Sequence, residues 1–160
     1  MNSALKTIIY VILIFGFVAI GTESVRIFKI YLDLQGSIET MSTDSIELAV
    51  NDDYRREHVT IMDQSLCKDL FLQKLRTAYK LNYNLSPGSD SFMKSFVLEE
   101  LSAKTGSYEA GIDSLVQREE PELYIKGYIT TRPLVLGFNK DVKIPFSFKA
   151  HSKRRAPGEG

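Results

Sequence analysis

The longest apolar run in the chain is Ile8 to Ile20 (IIYVILIFGFVAI), uncharged and interrupted only by Gly16, with Lys6 before it and Glu23 after it. A membrane-spanning helix takes about 20 apolar residues. Thr7, Gly21 and Thr22 extend the run towards that length, and a thinned bilayer with snorkelling flanks accommodates the shortfall. A secretory signal uses the same ingredients: a basic start, roughly 7–15 apolar residues and small residues before a cut. Met1–Lys6, Ala19 and Gly21 supply them. Beyond Thr22, however, Val25, Ile27, Phe28, Ile30, Tyr31, Leu32 and Leu34 keep the chain apolar and helix-compatible, with no Pro and no polar linker. That continuity favours retention. Residues 1–22 are expected to be a membrane anchor carried by Ile8, Val11, Ile12, Phe15, Phe17 and Ile20. Lys6 before the segment and Arg26 and Lys29 after it give the positive-inside rule almost no bias. The short leading flank sets the expectation of an inside N-terminus and an extracytoplasmic body over residues 23–152.

From Thr22 to about Val50 the pattern predicts one long helix. Ile27, Tyr31, Leu34, Ile38, Met41 and Leu48 recur at helical spacings, and Gly36 marks a possible bend. The stripe covers its own domain's core, packs on helices of neighbouring subunits, or does both, its membrane half against partners and its distal half against the domain; Ile27, Tyr31 and Leu34 are the candidates for the second role. Asn51-Asp52-Asp53 reads as a break with capping residues, followed by a polar excursion at Tyr54–His58. A second helix is expected from about Asp63 to Tyr79, with Leu66, Cys67, Leu70, Phe71, Leu75, Ala78 and Tyr79 on its apolar face. Asn82–Ser91 is a loop turned by Pro87-Gly88.

The period then shortens to two. Phe92–Leu101 reads as a strand, and Tyr108–Glu120 is ambiguous. In Leu123–Thr131, Leu123, Ile125, Gly127 and Ile129 face one way, and Tyr124, Lys126, Tyr128 and Thr130 the other. Pro133 closes that strand and 137–140 supply a turn. Val142–Ala150 alternates most cleanly, and Pro145 within it points to an edge position or a bulge. Helices first and strands later predict an α+β fold: a long N-terminal helix, a second helix and a small antiparallel sheet of about three strands. Residues 153–160 are expected to be a disordered basic tail.

Charge adds little. Lys and Arg total 20, as do Asp and Glu, so no global field favours nucleic acid or an acidic substrate. The single cysteine, Cys67, excludes an intrachain disulfide and fits a small buried thiol. His58 and His151 are far apart, and Asn51–Asp53 lacks the spaced ligands of a calcium loop, so no metal is expected. Cys67 has no neighbouring base, no serine stands in a nucleophile elbow, and no glycine loop cradles phosphate. Glu99 and Glu100, adjacent on a strand, are expected to point to opposite faces. No enzyme activity, cofactor, nucleic acid or small-molecule substrate is expected. Tyr124, Lys126 and Tyr128 are the best interaction candidates, because Tyr suits a surface that is dry at one end and wet at the other.

The helix continuing through SIETMSTDSIELAVNDD, the second helix ending YKLNYNLSPGS, and the strands LYIKGYITTRPLVLGF and VKIPFSFKAHS together resemble pilin-like proteins. More narrowly, the chain resembles TadE-like pseudopilins of Gram-positive type, membrane-anchored minor subunits of tight-adherence pili. The resemblance implies a non-enzymatic subunit of a pilus or secretion apparatus, with the membrane and other pilin-like or apparatus subunits as its partners. The chain departs from processed pilins in one respect. No acidic residue lies between Met1 and Thr22, and the fifth residue after Gly16 is Gly21, which implies an uncleaved accessory subunit. The alternatives are a secreted binding domain with its leader removed, or a small exported enzyme.

Overall fold

The structure is a computed structural model that describes residues 3–51, 59–111, 115–133 and 141–152. The expected break at 52–53, the excursion at 54–58 with His58, the turn at 137–140 and the tail at 153–160 lie outside the described residues. Within them the fold is α+β. Helix α1 spans Ser3–Ala49, a single element of 47 residues that passes through Gly16, Gly21 and Gly36 without a break. The apolar run and the amphipathic stripe expected beyond Thr22 therefore share one backbone, as a long N-terminal helix requires. Its hydroxyl side chains do not disrupt it, because they bond back one turn. Ser42 and Ser45, both fully buried, donate to Ile38 O at 2.5 Å and Met41 O at 2.6 Å.

Helix α2, Gln64–Tyr79, starts where the sequence supplies a cap. The Asp63 carboxylate accepts from the Ser65 and Leu66 amides at 2.9 and 3.0 Å, satisfying donors that the helix itself leaves open. It ends at Lys80, in the left-handed region at φ 52°, whose N–H reaches Arg76 O. The following loop is organised by the Asn82 side chain, which accepts from the Asn84 and Ser86 amides.

Three antiparallel strands form the main sheet in the order β1-β4-β5: β1 is Met93–Lys104, β4 is Glu122–Thr131 and β5 is Val142–His151. Strand β5 is an edge, paired only with β4, and an edge is where a residue without an N–H such as Pro145, opposite Tyr128, is tolerated. Between β1 and β4 the chain makes a two-stranded ribbon, β2 (Ser107–Ala110) with β3 (Leu115–Glu119). In register this ribbon prolongs the β1–β4 pair: Lys104 stands opposite Glu122, and Ser107 opposite Glu119. The bend between the two pieces comes from Gly106, at φ 88°, and from Pro121, which lacks an N–H.

The two helices cover one face of the main sheet, α1 over β5 and β4, α2 over β1. Ile38 and Ile46 of α1, Phe71 and Leu75 of α2, and Leu123, Ile125 and Ile129 of β4 meet there, fully buried. Helix and sheet match in length. Arg26 meets the end of β4 and Glu47 accepts from Ser152 just beyond β5, at 3.2 Å. That stretch of α1 rises about 32 Å, against about 33 Å for a ten-residue strand.

Candidate functional site

The chemistry of α1 changes abruptly at Glu23, the first buried residue along the helix. Before it, none of the most apolar 18-residue window is covered by the folded body. Ile8, Val11, Ile12, Phe15, Phe17 and Ile20 all point outward, with Phe15 and Phe17 71% and 74% exposed. The helix is therefore long and apolar enough to cross a membrane, a property that a signal sequence shares.

At Glu23 a polar collar fastens the helix to the sheet. Glu23 lies four residues before Ile27, on the stripe that continues through Leu34, Ile38 and Met41, so it must turn inward. Its carboxylate is matched there by Arg26, whose Nη1 is 3.3 Å from Oε1. Arg26 also donates through Nη2 to Thr131 Oγ1 at 2.8 Å, and through both terminal nitrogens to Arg132 O at 2.8 and 3.1 Å. The Thr131 hydroxyl, fully buried, donates in turn to Phe92 O at 3.1 Å. One guanidinium thus ties α1 to the ends of β4 and β1, and the forked geometry of Arg suits that task. The sequence carried a signal for this collar, the acidic residue in phase with an apolar stripe, but Arg26 by itself reads only as a flanking charge.

The stripe Ile27, Tyr31, Leu34 does not form one partner surface. Leu34 is 2% exposed within the core and Ile27 packs against that core from its margin. The core beneath α1 takes both. Tyr31 stays outside, beside exposed Val25, Phe28 and Leu32.

On the opposite face of the sheet, Tyr124, Lys126 and Tyr128 do point away from the helices, since Leu123, Ile125, Gly127 and Ile129 are buried. Neighbouring strands already engage all three. Ser147 Oγ donates to Tyr124 Oη at 3.3 Å, Lys126 Nζ stands 3.8 Å from Glu99 Oε2, and Lys143 Nζ sits 3.4 Å over the Tyr128 ring. Exposed pairs of this kind contribute little stability, whereas the cation over the ring shields part of its face. An open groove of about 470 Å³ runs from this face round the β5 edge to Tyr31, with Pro145 and Phe146 in its wall.

The carboxylates Glu99 and Glu100 depart from expectation. A register shift between Leu98 and Glu100 inserts a bulge in β1, and both residues stand exposed instead of facing opposite sides. The bulge lies opposite Gly127, where a Cβ would come 2.3 Å from Val97 O and 2.7 Å from Phe146 Cζ. The Phe146 ring occupies the space this glycine leaves, 5.5 Å from the Phe96 ring.

Gln117, on β3, was not legible as a structural residue. Its Oε1 accepts from the Thr60 amide at 2.6 Å. Its Nε2 donates to Thr60 O and Ser107 O, each at 3.1 Å, and to Glu119 O. One amide side chain thereby pairs with the segment 59–62 as a strand would, and Met62 N completes the junction at Thr105 O, 2.9 Å away.

Cys67 is fully buried, and burial pushes its thiol up to about 11, against a smaller downward pull from Lys68. Among the described residues no three His, Cys, Asp or Glu side chains converge on a point. His151 ends β5 opposite Glu122, whose carboxyl is held below its usual range first by its hydrogen bond with Lys149. Compared with protein-family models, with curated proteins and with solved structures, the chain matches none.

Proposed function

We propose that the chain is a non-enzymatic, membrane-anchored subunit of a pilin-like assembly, of the kind that tight-adherence pili or related secretion machines use. In this reading the N-terminus lies inside, α1 crosses the membrane, and the sheet domain meets other subunits outside. The observation that carries the proposal is the continuity of α1: an outward-facing apolar half and a half packed on a small antiparallel sheet share one unbroken helix. The division of labour follows from solvent. The apolar half gains from lipid what the body gains from its core, and the exposed Val25, Phe28, Tyr31 and Leu32 next to the boundary leave an apolar strip for neighbouring helices. The decisive experiment is alkaline extraction of membranes with N-terminal sequencing of the mature chain. Retention in the pellet with an intact start supports the proposal, and in-cell crosslinking from Phe28 then identifies the neighbouring subunits.

A second reading has its own support. The residues before Glu23 make no core contact, so removal of a leader near Thr22 leaves the folded body complete. A mature chain that starts near Thr22 and stays in the extract identifies a secreted binding domain instead.

A further inference from the structure

The collar fixes which end of the sheet lies nearest the apolar half of α1. Only four residues separate Thr22 from Arg26, a rise of about 6 Å. The headgroup region on each side of a bilayer is about 5–7 Å deep. If the apolar segment is a retained anchor, on which this inference rests, the sheet end held by Arg26 cannot stand clear of the membrane. That end carries the side chains such a position favours. Phe92 is 54% exposed although its carbonyl is part of the collar. Lys29 and Arg132 are exposed and make no ion pair among the described residues. Lys143 is nearby on β5. The carboxylates of Glu23 and Asp141 are each tied to a cation of the same end, Arg26 and Lys94.

We propose that this end of the sheet is a lipid-contact surface. Phe92 seats at the boundary between headgroups and acyl chains, and Lys29 and Arg132 take the phosphates of phospholipids in the leaflet that α1 leaves. An apolar aromatic beside long basic side chains suits that depth, the ring entering the acyl boundary and the basic heads reaching back to the headgroups. The contact adds a second, sideways restraint to the anchor: the body cannot swing away from the bilayer without pulling Phe92 into water.

The chain has no Trp, so a single introduced Trp reports its own depth. Full-length Phe15→Trp, Phe92→Trp and Val116→Trp variants are reconstituted into vesicles of phosphatidylcholine and phosphatidylglycerol with or without bromine on the upper acyl chain. Protection of Cys67 from a thiol reagent verifies folding; should Phe92→Trp fail that check, Arg132→Trp reports the same end. The first two variants are expected to be quenched about twofold, as befits side chains within roughly 5–10 Å of the boundary, and Val116→Trp, on the far ribbon, not at all. Quenching of Phe15→Trp without Phe92→Trp overturns the lipid contact and leaves the anchor standing. Absence of quenching at Phe15→Trp overturns the anchor reading itself. Quenching of all three overturns the orientation, since the body would then lie on its side.

Discussion

Replacing Gly127 by Ala tests the closest packing in the sheet. The added Cβ falls 2.3 Å from Val97 O and 2.7 Å from Phe146 Cζ, where an ordinary carbon–oxygen contact is about 3.3 Å or more. About 1 Å of space must therefore be made at a backbone carbonyl in the middle of the β1–β4 ladder, where the bulge has already used the local slack. Phe146 is backed by the Phe96 ring, 5.5 Å away between centroids. Overpacking of this kind costs about 1–3 kcal/mol. The upper end applies, because the obstacle is backbone and not the tip of a flexible side chain. At about 4 °C per kcal/mol for a body of this size, the melting temperature falls by roughly 12 °C. Gly36→Ala is the matched control. Nothing lies within 4 Å of its Cβ on the exposed side of α1, and the gain in helix propensity is about 1 kcal/mol. Circular dichroism melts of the two variants in one detergent should move in opposite directions. A Gly127→Ala melt within about 2 °C of the parent refutes the close approach of β1, β4 and Phe146.

Gln117→Ala leaves the Thr60 amide and carbonyl without their partner and should cost about 2 kcal/mol, read as a lower urea midpoint at unchanged slope; an unchanged midpoint shows that the ribbon is held elsewhere. Cys67, with its thiol raised to about 11 by burial, should resist a thiol reagent at neutral pH and react at the rate of unfolding, whereas fast stoichiometric labelling of the native protein contradicts its place in the core. The Asp63 carboxyl is held below 3.8, first by the Ser65 hydroxyl and then by the Leu66 amide. A lowered folded-state value means that its contribution is complete above the unfolded value and fades as pH falls through the folded one. Asp63→Asn, which keeps an acceptor at the cap, should therefore melt below the parent at about pH 6, and the gap should narrow as the solution is acidified below the usual carboxylate range; parallel pH profiles rule out a role for the charge.

Elements whose order is local were readable before the structure. Helix α2 announces its start with Asp63 and its face with Cys67, Phe71 and Leu75. Strand β5 announces itself by alternation, and Pro145 narrows its place to an edge or a bulge, of which the sheet uses the edge. The outward face of Tyr124, Lys126 and Tyr128 follows from the same period of two. What escaped is non-local or polar. The β2–β3 ribbon leaves no apolar period, since Tyr108 and Val116 are exposed, and it is held by the amide of Gln117 against a backbone far away in sequence. The bulge at Glu99 shifts the alternation by one residue where β1 passes Gly127 and Lys126 of β4, a pairing distant in sequence. Leu34 was readable as apolar and helical, but which surface would cover it depended on where the sheet begins, and that is decided by Arg26, Thr131 and Arg132.

The unbroken α1 also has a mechanical consequence. At about 1.5 Å per residue it is a rod of roughly 70 Å, and a tilt of about 5° at one end displaces the other by about 6 Å. With the collar gripping the rod at Arg26 and Ser152 gripping it at Glu47, no joint dissipates that leverage. A sideways load on the ribbon is delivered as torque to the first turns of the helix, wherever they are held.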